Sequence, residues 1–385
     1  MWMRVWRRPH PMKLPPFALE RFFARHEFGA KHLLCASDCE SMSVEELCAM
    51  EPGSLAALGA LRLGYTESPG SPSLRAAIAR LYSSMDPEDV LVTSGAEEAI
   101  FVFMHAALAS GDHIVVHQPC YRSLVDVARS IGCEVSAWEA REEKGWELEP
   151  DELGALIRPS TRAIVLNVPH NPTGYLMSSD VFFRTLRFAE ERDLILFSDE
   201  VYRGLERTPA DRLPAACDAG ERAVSLGVMS KTYGLPGLRI GWVATRNAAL
   251  KARMAVVKDY TTICASAPSE LLAEVALRHA DAIARRSREI IDANLGLLDG
   301  FFSRRAGIVS WQRPKAGPIA FPRLLLGDVE AFCRDLVESS GVLLAPGVLF
   351  GDAGSHFRLG FGRKSMPAAL SKLEEVMDAL QESTE

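Results

Sequence analysis

The stretch VLVTSGAEEAIFVFMHAALASGDHIVVH, residues 90–117, carries the pattern that decides the fold. Val90–Thr93 and His113–His117 are short, β-rich apolar runs, which are typical of buried strands. Ser94 and Gly95 interrupt the first run, and Ala96–Ala109 then has the length and apolar content of a buried helix. A strand, a helix and a second strand in this order indicate an α/β unit with parallel strands.

The alternation continues beyond this stretch. Helices are predicted at Tyr121–Ile131 and Ser179–Arg192, and strands at Ala163–Asn167, Leu194–Ser198, Ala223–Gly227 and Gly241–Ala244. Short strands separated by helices indicate a mostly parallel sheet that is covered on both faces.

The pattern changes near residue 268. Pro268–Arg304 predicts one long helical stretch, and the residues after it predict short strands with flanking helices. The chain of 385 residues is also longer than a single core of roughly 250–300 residues. We therefore expect a large α/β domain and a second, smaller α+β domain.

The charge balance argues against a nucleic-acid-binding protein. The chain has 43 Lys and Arg against 50 Asp and Glu, a net charge of −7, whereas such proteins usually carry a basic stripe. Met1–Met12 lacks the apolar run of a secretory signal, and no segment approaches the ~18 apolar residues of a membrane span. We expect a cytoplasmic protein that binds neither nucleic acid nor membrane.

The eight cysteines are scattered and form no CxxC pair, which is typical of reduced thiols in a cytoplasmic protein. A metal site at Cys35, Cys39 and nearby His32 is the weaker alternative, so no metal is expected.

Polar residues follow the predicted strands, at the edge where ligands of parallel sheets bind. Lys231 comes directly after a strand, where it is either a Schiff-base former or a surface lysine in a turn. Asp199 is either the partner of a cofactor's ring nitrogen or a cap or salt-bridge residue. Ser94–Glu97 lies at the start of a helix, where free N–H groups bind anions, although many ordinary helices begin in the same way.

Two arginines, an asparagine and a tyrosine are further candidates for ligand contacts. Arg239 lies between glycines and suits a phosphate, and Arg358 in an apolar strand faces either a carboxylate or solvent. Asn171 belongs to a turn or binds a phenolic oxygen, and Tyr121 is a core residue or a ring stacked on a flat ligand.

The ordered set of these residues resembles the fold-type I pyridoxal-phosphate enzymes of the class I and II aminotransferase group. The matching positions, from about Tyr65 to Gly362, are Tyr65, Ser94-Gly95-Ala96, Tyr121, Asn171–Gly174, Asp199–Tyr202, Ser230-Lys231, Arg239 and Arg358. The resemblance implies a mostly parallel seven-stranded sheet in a large domain, residues 42–283. It also implies a smaller α+β domain, residues 284–385, which the N-terminal segment 1–41 joins.

The resemblance also implies a cofactor, pyridoxal 5′-phosphate, and a role for each residue around its ring. Lys231 matches the Schiff-base lysine that shuttles the substrate proton, and Asp199 matches the partner of the ring nitrogen. Asn171 and Tyr202 match the residues that bond the ring's O3′. Tyr121 matches the side chain that stacks on the pyridine.

The phosphate and substrate contacts are implied in the same way. The implied phosphate contacts are Gly95, Ala96, Glu97, Ser230 and Arg239. Tyr65 matches a tyrosine that reaches the phosphate of the neighbouring subunit, so the resemblance implies a homodimer. Arg358 looks like the clamp for the substrate carboxylate, with Asn171 and Asp38 as further substrate contacts.

Two positions depart from the family pattern. Val228 stands where a hydroxyl usually binds the phosphate, and Cys35–Ser41 replaces a segment that normally has a glycine beside the substrate. Four further segments, Pro169–Pro172, Ser230–Trp242, Lys258–Tyr260 and Pro314–Arg323, resemble the branch that contains capreomycidine synthase. Asp38 and Glu40 of this chain either receive a basic substrate side chain or are solvated loop carboxylates, and the second alternative is favoured.

The leading hypothesis is an aminotransferase acting on an amino acid and a 2-oxo acid. The first alternative uses the same cofactor as a lyase or cyclase on a basic amino acid. The second is an effector-sensing domain of a transcription regulator, which is disfavoured because no helix-turn-helix precedes the fold.

Overall fold

The computed structural model describes residues 14–352 and 354–382. Met1–Met12, which we predict to carry no secretory signal, lies outside the described residues. Within them the α-helices are α1 (Ala18–His26), α2 (Val44–Ala49), α3 (Ser54–Ala60), α4 (Pro72–Ala79), α5 (Ala96–Ala107), α6 (Ser123–Ile131), α7 (Pro150–Leu156), α8 (Ser179–Glu191), α9 (Ala216–Ala219), α10 (Ala248–Lys258), α11 (Ala267–Arg278), α12 (Ala280–Arg304), α13 (Val329–Ser340) and α14 (Met366–Glu382). The strands are β1 (His32–Leu33), β2 (Val90–Thr93), β3 (His113–Gln118), β4 (Glu134–Glu139), β5 (Thr161–Asn167), β6 (Ile195–Asp199), β7 (Ala223–Val228), β8 (Gly241–Ala244), β9 (Val309–Ser310), β10 (Ile319–Ala320), β11 (Arg323–Leu324), β12 (Val342–Leu343), β13 (Ala345–Pro346) and β14 (Phe357–Gly360).

The main sheet has seven strands in the order β2-β8-β7-β6-β5-β3-β4. Strands β4, β3, β5, β6 and β7 pair in parallel, and β8 is antiparallel to both of its neighbours. Strand β2 therefore runs in the same direction as the parallel strands. Six carboxyl ends meet at one edge of the sheet, which confirms the predicted α/β architecture.

The residues of β3 show why this sheet is buried on both faces. Ile114 and Val116 belong to the core under α5, α6 and α10, whereas Val115 between them belongs to the core under α7 and α8. Each fully buried side chain of this size stabilises the fold by roughly 1.5–3 kcal/mol. Both faces need apolar residues, so the strands are continuous apolar runs and do not alternate.

The connection between β7 and β8 carries Lys231 and Arg239. Because β8 is antiparallel, the chain leaves β7 and re-enters the sheet at the same edge. The N–H of Met229 donates to the carbonyl of Ile240 at 3.0 Å, which closes the base of the connection.

The smaller sheets lie outside the main one. Strand β1 pairs in parallel with β12, strands β10, β14 and β13 form an antiparallel sheet, and β11 pairs with β9. The N-terminal segment is thus bonded to the C-terminal part of the chain. The domain boundary at residues 283/284 falls within α12, and the division of the chain into domains remains a proposal.

Two features of the fold differ from the sequence-based prediction. The helical stretch Pro268–Arg304 is two helices, because His279 has non-helical backbone angles (φ −111°, ψ 21°) between α11 and α12. The seventh strand, β4, was not located from the residues, because Glu134–Glu139 lies at the sheet edge and mixes polar with apolar side chains. None of the described helices is long and apolar enough to cross a membrane.

Candidate active site

A cavity of about 550 Å³ lies at the carboxyl edge of the main sheet. Its walls come from the ends of β5, β6 and β7, the β7–β8 connection, α1, and the segment 36–38. Eleven of the predicted site residues line it: Asp38, Ala96, Glu97, Tyr121, Asn171, Asp199, Tyr202, Ser230, Lys231, Arg239 and Arg358. The fold thus brings together residues that are up to 320 positions apart in the sequence.

Lys231 is the amine of this cavity. Burial lowers the pKa of Lys231, which favours the neutral, nucleophilic form. Its Nζ donates a hydrogen bond to Oγ of Ser37 at 2.8 Å. Ser37 was not singled out from the sequence, although it lies in the segment that departs from the family pattern.

Asp199 is a buried carboxylate at the end of β6. Burial raises its pKa from 3.8 to about 7. Its Oδ1 accepts the N–H of Val201 at 3.2 Å, and its main-chain carbonyl accepts Nδ2 of Asn167 at 2.9 Å. Among the described residues no basic side chain forms an ion pair with Asp199. A cationic group of a ligand would restore the charge that burial disfavours.

Tyr202 and Asn171 bring polar groups to the same region. The hydroxyl of Tyr202 is buried and lacks a hydrogen-bond partner within the described structure, and burial raises its pKa. The Oδ1 of Asn171 accepts Nη1 of Arg358 at 3.2 Å. The main-chain N–H of Asn171 donates to Oδ1 of Asn167 at 2.6 Å, so Asn167, which sequence reasoning did not assign, holds Asn171 and Asp199 together.

The start of α5 and Arg239 form an anion-binding corner. Gly95 has φ +84°, and a Cβ there would lie 2.6 Å from Nη2 of Arg239, so only glycine lets the guanidinium approach. No side chain caps the first turn of α5. Arg239 itself has φ +51°, a strained conformation for a non-glycine residue that is often found at functional sites. Burial raises the pKa of Glu97 to about 7, which weakens its negative charge beside this corner.

Arg358 is 1% exposed and lies on β14. Its Nη2 and Nε donate to the carbonyl oxygen of Cys35 at 2.9 and 3.1 Å. The guanidinium carbon is 4.9 Å from the ring centroid of Phe350 and 5.8 Å from that of Phe23. These contacts fix a buried cation that no carboxylate of the described chain neutralises.

The acidic side chains of the cavity differ from the sequence-based expectation. Asp38 lines the cavity, but its two oxygens bind Arg363 at 2.8 and 3.0 Å. Glu20 and Glu27 of the N-terminal segment also line it, and neither forms an ion pair with a described basic side chain. Glu20 accepts the hydroxyl of Tyr121 at 3.2 Å, and burial raises the pKa of Glu27. No signal in the sequence separated these two from other acidic residues.

Tyr65 does not line the cavity. It is 93% exposed, so its place in a neighbouring subunit's site stays a prediction. Among the described residues no group of three or more His, Cys, Asp or Glu side chains is placed to hold a metal ion.

The residues fit pyridoxal 5′-phosphate. The buried amine of Lys231, whose pKa is lowered, suits an aldehyde, the carboxylate of Asp199 without an ion-pair partner suits a ring N–H, and the unpartnered hydroxyl of Tyr202 suits a phenolic oxygen. The uncapped start of α5 beside Arg239 suits the phosphate.

Comparisons with known proteins agree with this fit. The family model of aminotransferase class I and II matches residues 31–380. Capreomycidine synthase of Streptomyces vinaceus is 31% identical over 95% of this chain and 94% of its own length, and an aspartate aminotransferase of Pyrococcus horikoshii is 27% identical over 83% of each chain.

Solved structures give the same result. A PLP-dependent aminotransferase from Streptococcus suis superposes with a TM-score of 0.90 and 33% identity, covering 96% of this chain and 99% of that one. The PLP-dependent cyclase OrfR superposes with a TM-score of 0.86 and 32% identity, covering 95% of this chain and 99% of that one.

Proposed function

The chain belongs to the class I and II aminotransferases, a family of pyridoxal 5′-phosphate-dependent enzymes, and from this membership we propose that it moves an amino group between an amino acid and a 2-oxo acid. The observation that supports the proposal most directly is the buried Lys231 amine in one cavity with Asp199 and Arg358. When bound, pyridoxal 5′-phosphate supplies a ring that withdraws electrons from the substrate.

The residues that line the cavity have different roles in the proposed reaction. Arg358 binds the substrate α-carboxylate through its guanidinium and thereby orients the Cα–H bond. Lys231, whose pKa burial lowers, would carry the proton from the substrate Cα to C4′ of the cofactor. Asp199 would keep a proton on the ring nitrogen, and the hydroxyl of Tyr202 would donate to the ring oxygen.

Single-turnover chemistry tests this proposal. The cofactor-saturated enzyme is mixed with each of the twenty amino acids without an acceptor, and 2-oxo acid and ammonia are measured. Transfer predicts one equivalent of 2-oxo acid per active site, no ammonia, and cofactor recovered in its aminated form. Continuous release of ammonia or of a cyclised product would refute transfer.

A second candidate is a lyase or cyclase acting on a basic amino acid, and the acidic residues of the N-terminal segment favour it. With Asp38 bound to Arg363, Glu20 and Glu27 are the two carboxylates of the N-terminal segment in this cavity that have no ion-pair partner among the described residues. A cationic substrate side chain would find partners there.

Charge removal tests this preference. Glu20→Gln and Glu27→Gln are each expected to lower kcat/KM for arginine or lysine roughly tenfold, because a hydrogen bond to a charged group contributes about 1.5–3 kcal/mol. The values for leucine and methionine should change little. Glu45→Gln, an exposed carboxylate on α2, is the control. Equal losses for basic and neutral substrates would contradict a basic specificity.

We also propose that the protein acts as a homodimer in which Tyr65 reaches the neighbouring site. The 93% exposure of Tyr65 is compatible with this, because it leaves the side chain free to contact a second subunit. Sedimentation of a monomer at micromolar concentration would contradict it.

A further inference from the structure

A second cavity, of about 660 Å³, lies next to the active site. The two cavities share Val201 and Val228 among their lining residues. The second cavity lies between the end of α4, the turn that follows Tyr202, and the beginning of α12. None of the roles proposed above uses it.

Its lining is strongly basic, although the whole chain has a net charge of −7. Six arginines line it: Arg80, Arg203, Arg212, Arg278, Arg285 and Arg288. His279 also lines it, whereas only Glu200 and Asp281 are acidic. We call this space the arginine cavity.

Two of the six arginines are neutralised by carboxylates. Arg212 binds Glu206 at 2.9 Å, and Arg278 binds Glu51 at 2.7 Å. For the other four, no carboxylate of the described residues lies within 4 Å. Arg203 donates to a carbonyl oxygen at 2.6 Å and Arg288 to another at 2.7 Å, contacts that leave their charges uncompensated.

Glu200 is the buried acid of the lining, and burial raises its pKa more than the nearby positive charge of Arg203 lowers it. Glu200 is 6% exposed, and its Oε1 accepts the N–H of Ala216 and the hydroxyl of Ser225, both at 2.8 Å. Burial raises its pKa, which disfavours the charged form. The hydroxyl of Tyr82 accepts Nε1 of Trp242 at 2.8 Å, so its own proton is available as a further donor.

We propose that the arginine cavity binds a small multivalent anion, a phosphate ester or a polycarboxylate, at a site separate from the catalytic one. Four guanidinium groups without carboxylate partners share this lining, and an anion with several oxygens can accept hydrogen bonds from more than one of them. The volume of 660 Å³ is within the range of small-molecule sites.

The bound anion would connect two parts of the molecule. Arg285 and Arg288 belong to α12, whereas Arg203 follows Tyr202 of the active site. The Oγ1 of Thr232, the residue after Lys231, donates to the carbonyl of Arg203 at 2.8 Å. An occupant of the arginine cavity would therefore contact Arg203 and Thr232, which are the sequence neighbours of Tyr202 and Lys231.

Calorimetric titration of the cofactor-saturated enzyme at low salt tests the proposal, with pyrophosphate and citrate as the two probes. Saturable binding of one equivalent is expected for at least one probe. Preference for pyrophosphate identifies a phosphate ester, and preference for citrate identifies a polycarboxylate. No saturable binding of either probe overturns the proposal.

Matched double variants locate the binding. The double variant Arg80→Gln with Arg285→Gln should lower the affinity for the probe at least about tenfold, because losing a hydrogen bond to a charged group lowers affinity by roughly that factor or more. Arg246→Gln with Arg334→Gln removes the same charge from exposed arginines outside both cavities and should leave the affinity unchanged. Equal weakening in the two pairs, or none in the first, overturns the proposal. The result does not depend on which reaction the enzyme catalyses.

Discussion

The Gly360→Ala variant tests how Arg358 is held in place. Gly360 is two residues from Arg358 on β14, and its N–H donates to the carbonyl of Leu34 at 2.8 Å. A Cβ at this position would lie 1.9 Å from the carbonyl oxygen of Ala36, whereas real Cβ contacts are essentially never below 3.0 Å. The strand and the segment at residues 34–36 must therefore separate by about 1 Å or more.

This separation reaches the guanidinium of Arg358. Its two donors bind the Cys35 carbonyl at 2.9 and 3.1 Å, and an additional 1 Å stretches both contacts beyond hydrogen-bond distance. Forcing a methyl group into a packed position costs about 1–3 kcal/mol of unfolding free energy. A catalytic contact displaced by about 1 Å lowers kcat/KM on the order of 100-fold.

Steady-state kinetics with the amino donor identified by the single-turnover screen measures the effect, and urea unfolding measures the stability. Gly296→Ala is the matched control, because Gly296 is an exposed position of α12 where a Cβ meets nothing within 4 Å. It should keep wild-type kinetics and gain up to about 1 kcal/mol of stability. Wild-type kcat/KM in Gly360→Ala would refute the reasoning.

Three further variants test the other residues of the site. Lys231→Ala is expected to abolish turnover while circular dichroism and the unfolding midpoint stay close to wild type; measurable turnover would remove Lys231 from its role. Asp199→Asn should also collapse activity. In the cofactor-free protein, the raised pKa of Asp199 (about 7) makes its contribution to stability fall as the pH rises from about 4 to 7. The free energy of unfolding of Asp199→Asn in urea should therefore increase relative to that of wild type between pH 5 and pH 8. A difference that does not change with pH would contradict this. Ser37→Ala removes the hydrogen bond to Lys231 and should slow cofactor capture by the cofactor-free protein about fivefold, because the lost bond raises the activation free energy by about 1 kcal/mol. An unchanged rate would show that Ser37 does not position the amine.

Much of the main sheet could be predicted because its strands are uniform apolar runs. Val90–Thr93 and Gly241–Ala244 have the predicted bounds, and the other predicted strands of this sheet differ by one or two residues. Strand β4 was missed because it lies at the edge of the sheet, where polar side chains are tolerated. Its sequence therefore lacks the continuous apolar run that identifies the other strands. The break at His279 was missed because the helical periodicity on its two sides is not interrupted by glycine or proline.

The strand-end residues of the cavity were predictable for the same topological reason. The partners that reach them from other parts of the chain were not. The ion pair between Asp38 and Arg363 joins positions 325 residues apart, and Ser37 meets Lys231 across 194 residues. Such contacts depend on how β1 and β14 approach the main sheet, which no local pattern encodes.

The closed base of the β7–β8 connection has a mechanical consequence. Lys231 and Arg239 lie on one loop whose two ends are joined by the Met229–Ile240 hydrogen bond, so their spacing is set within the main sheet. Arg358 belongs to a different sheet. A movement of one sheet against the other would therefore change the distance from Lys231 to Arg358, whereas the distance from Lys231 to Arg239 is set within their common loop.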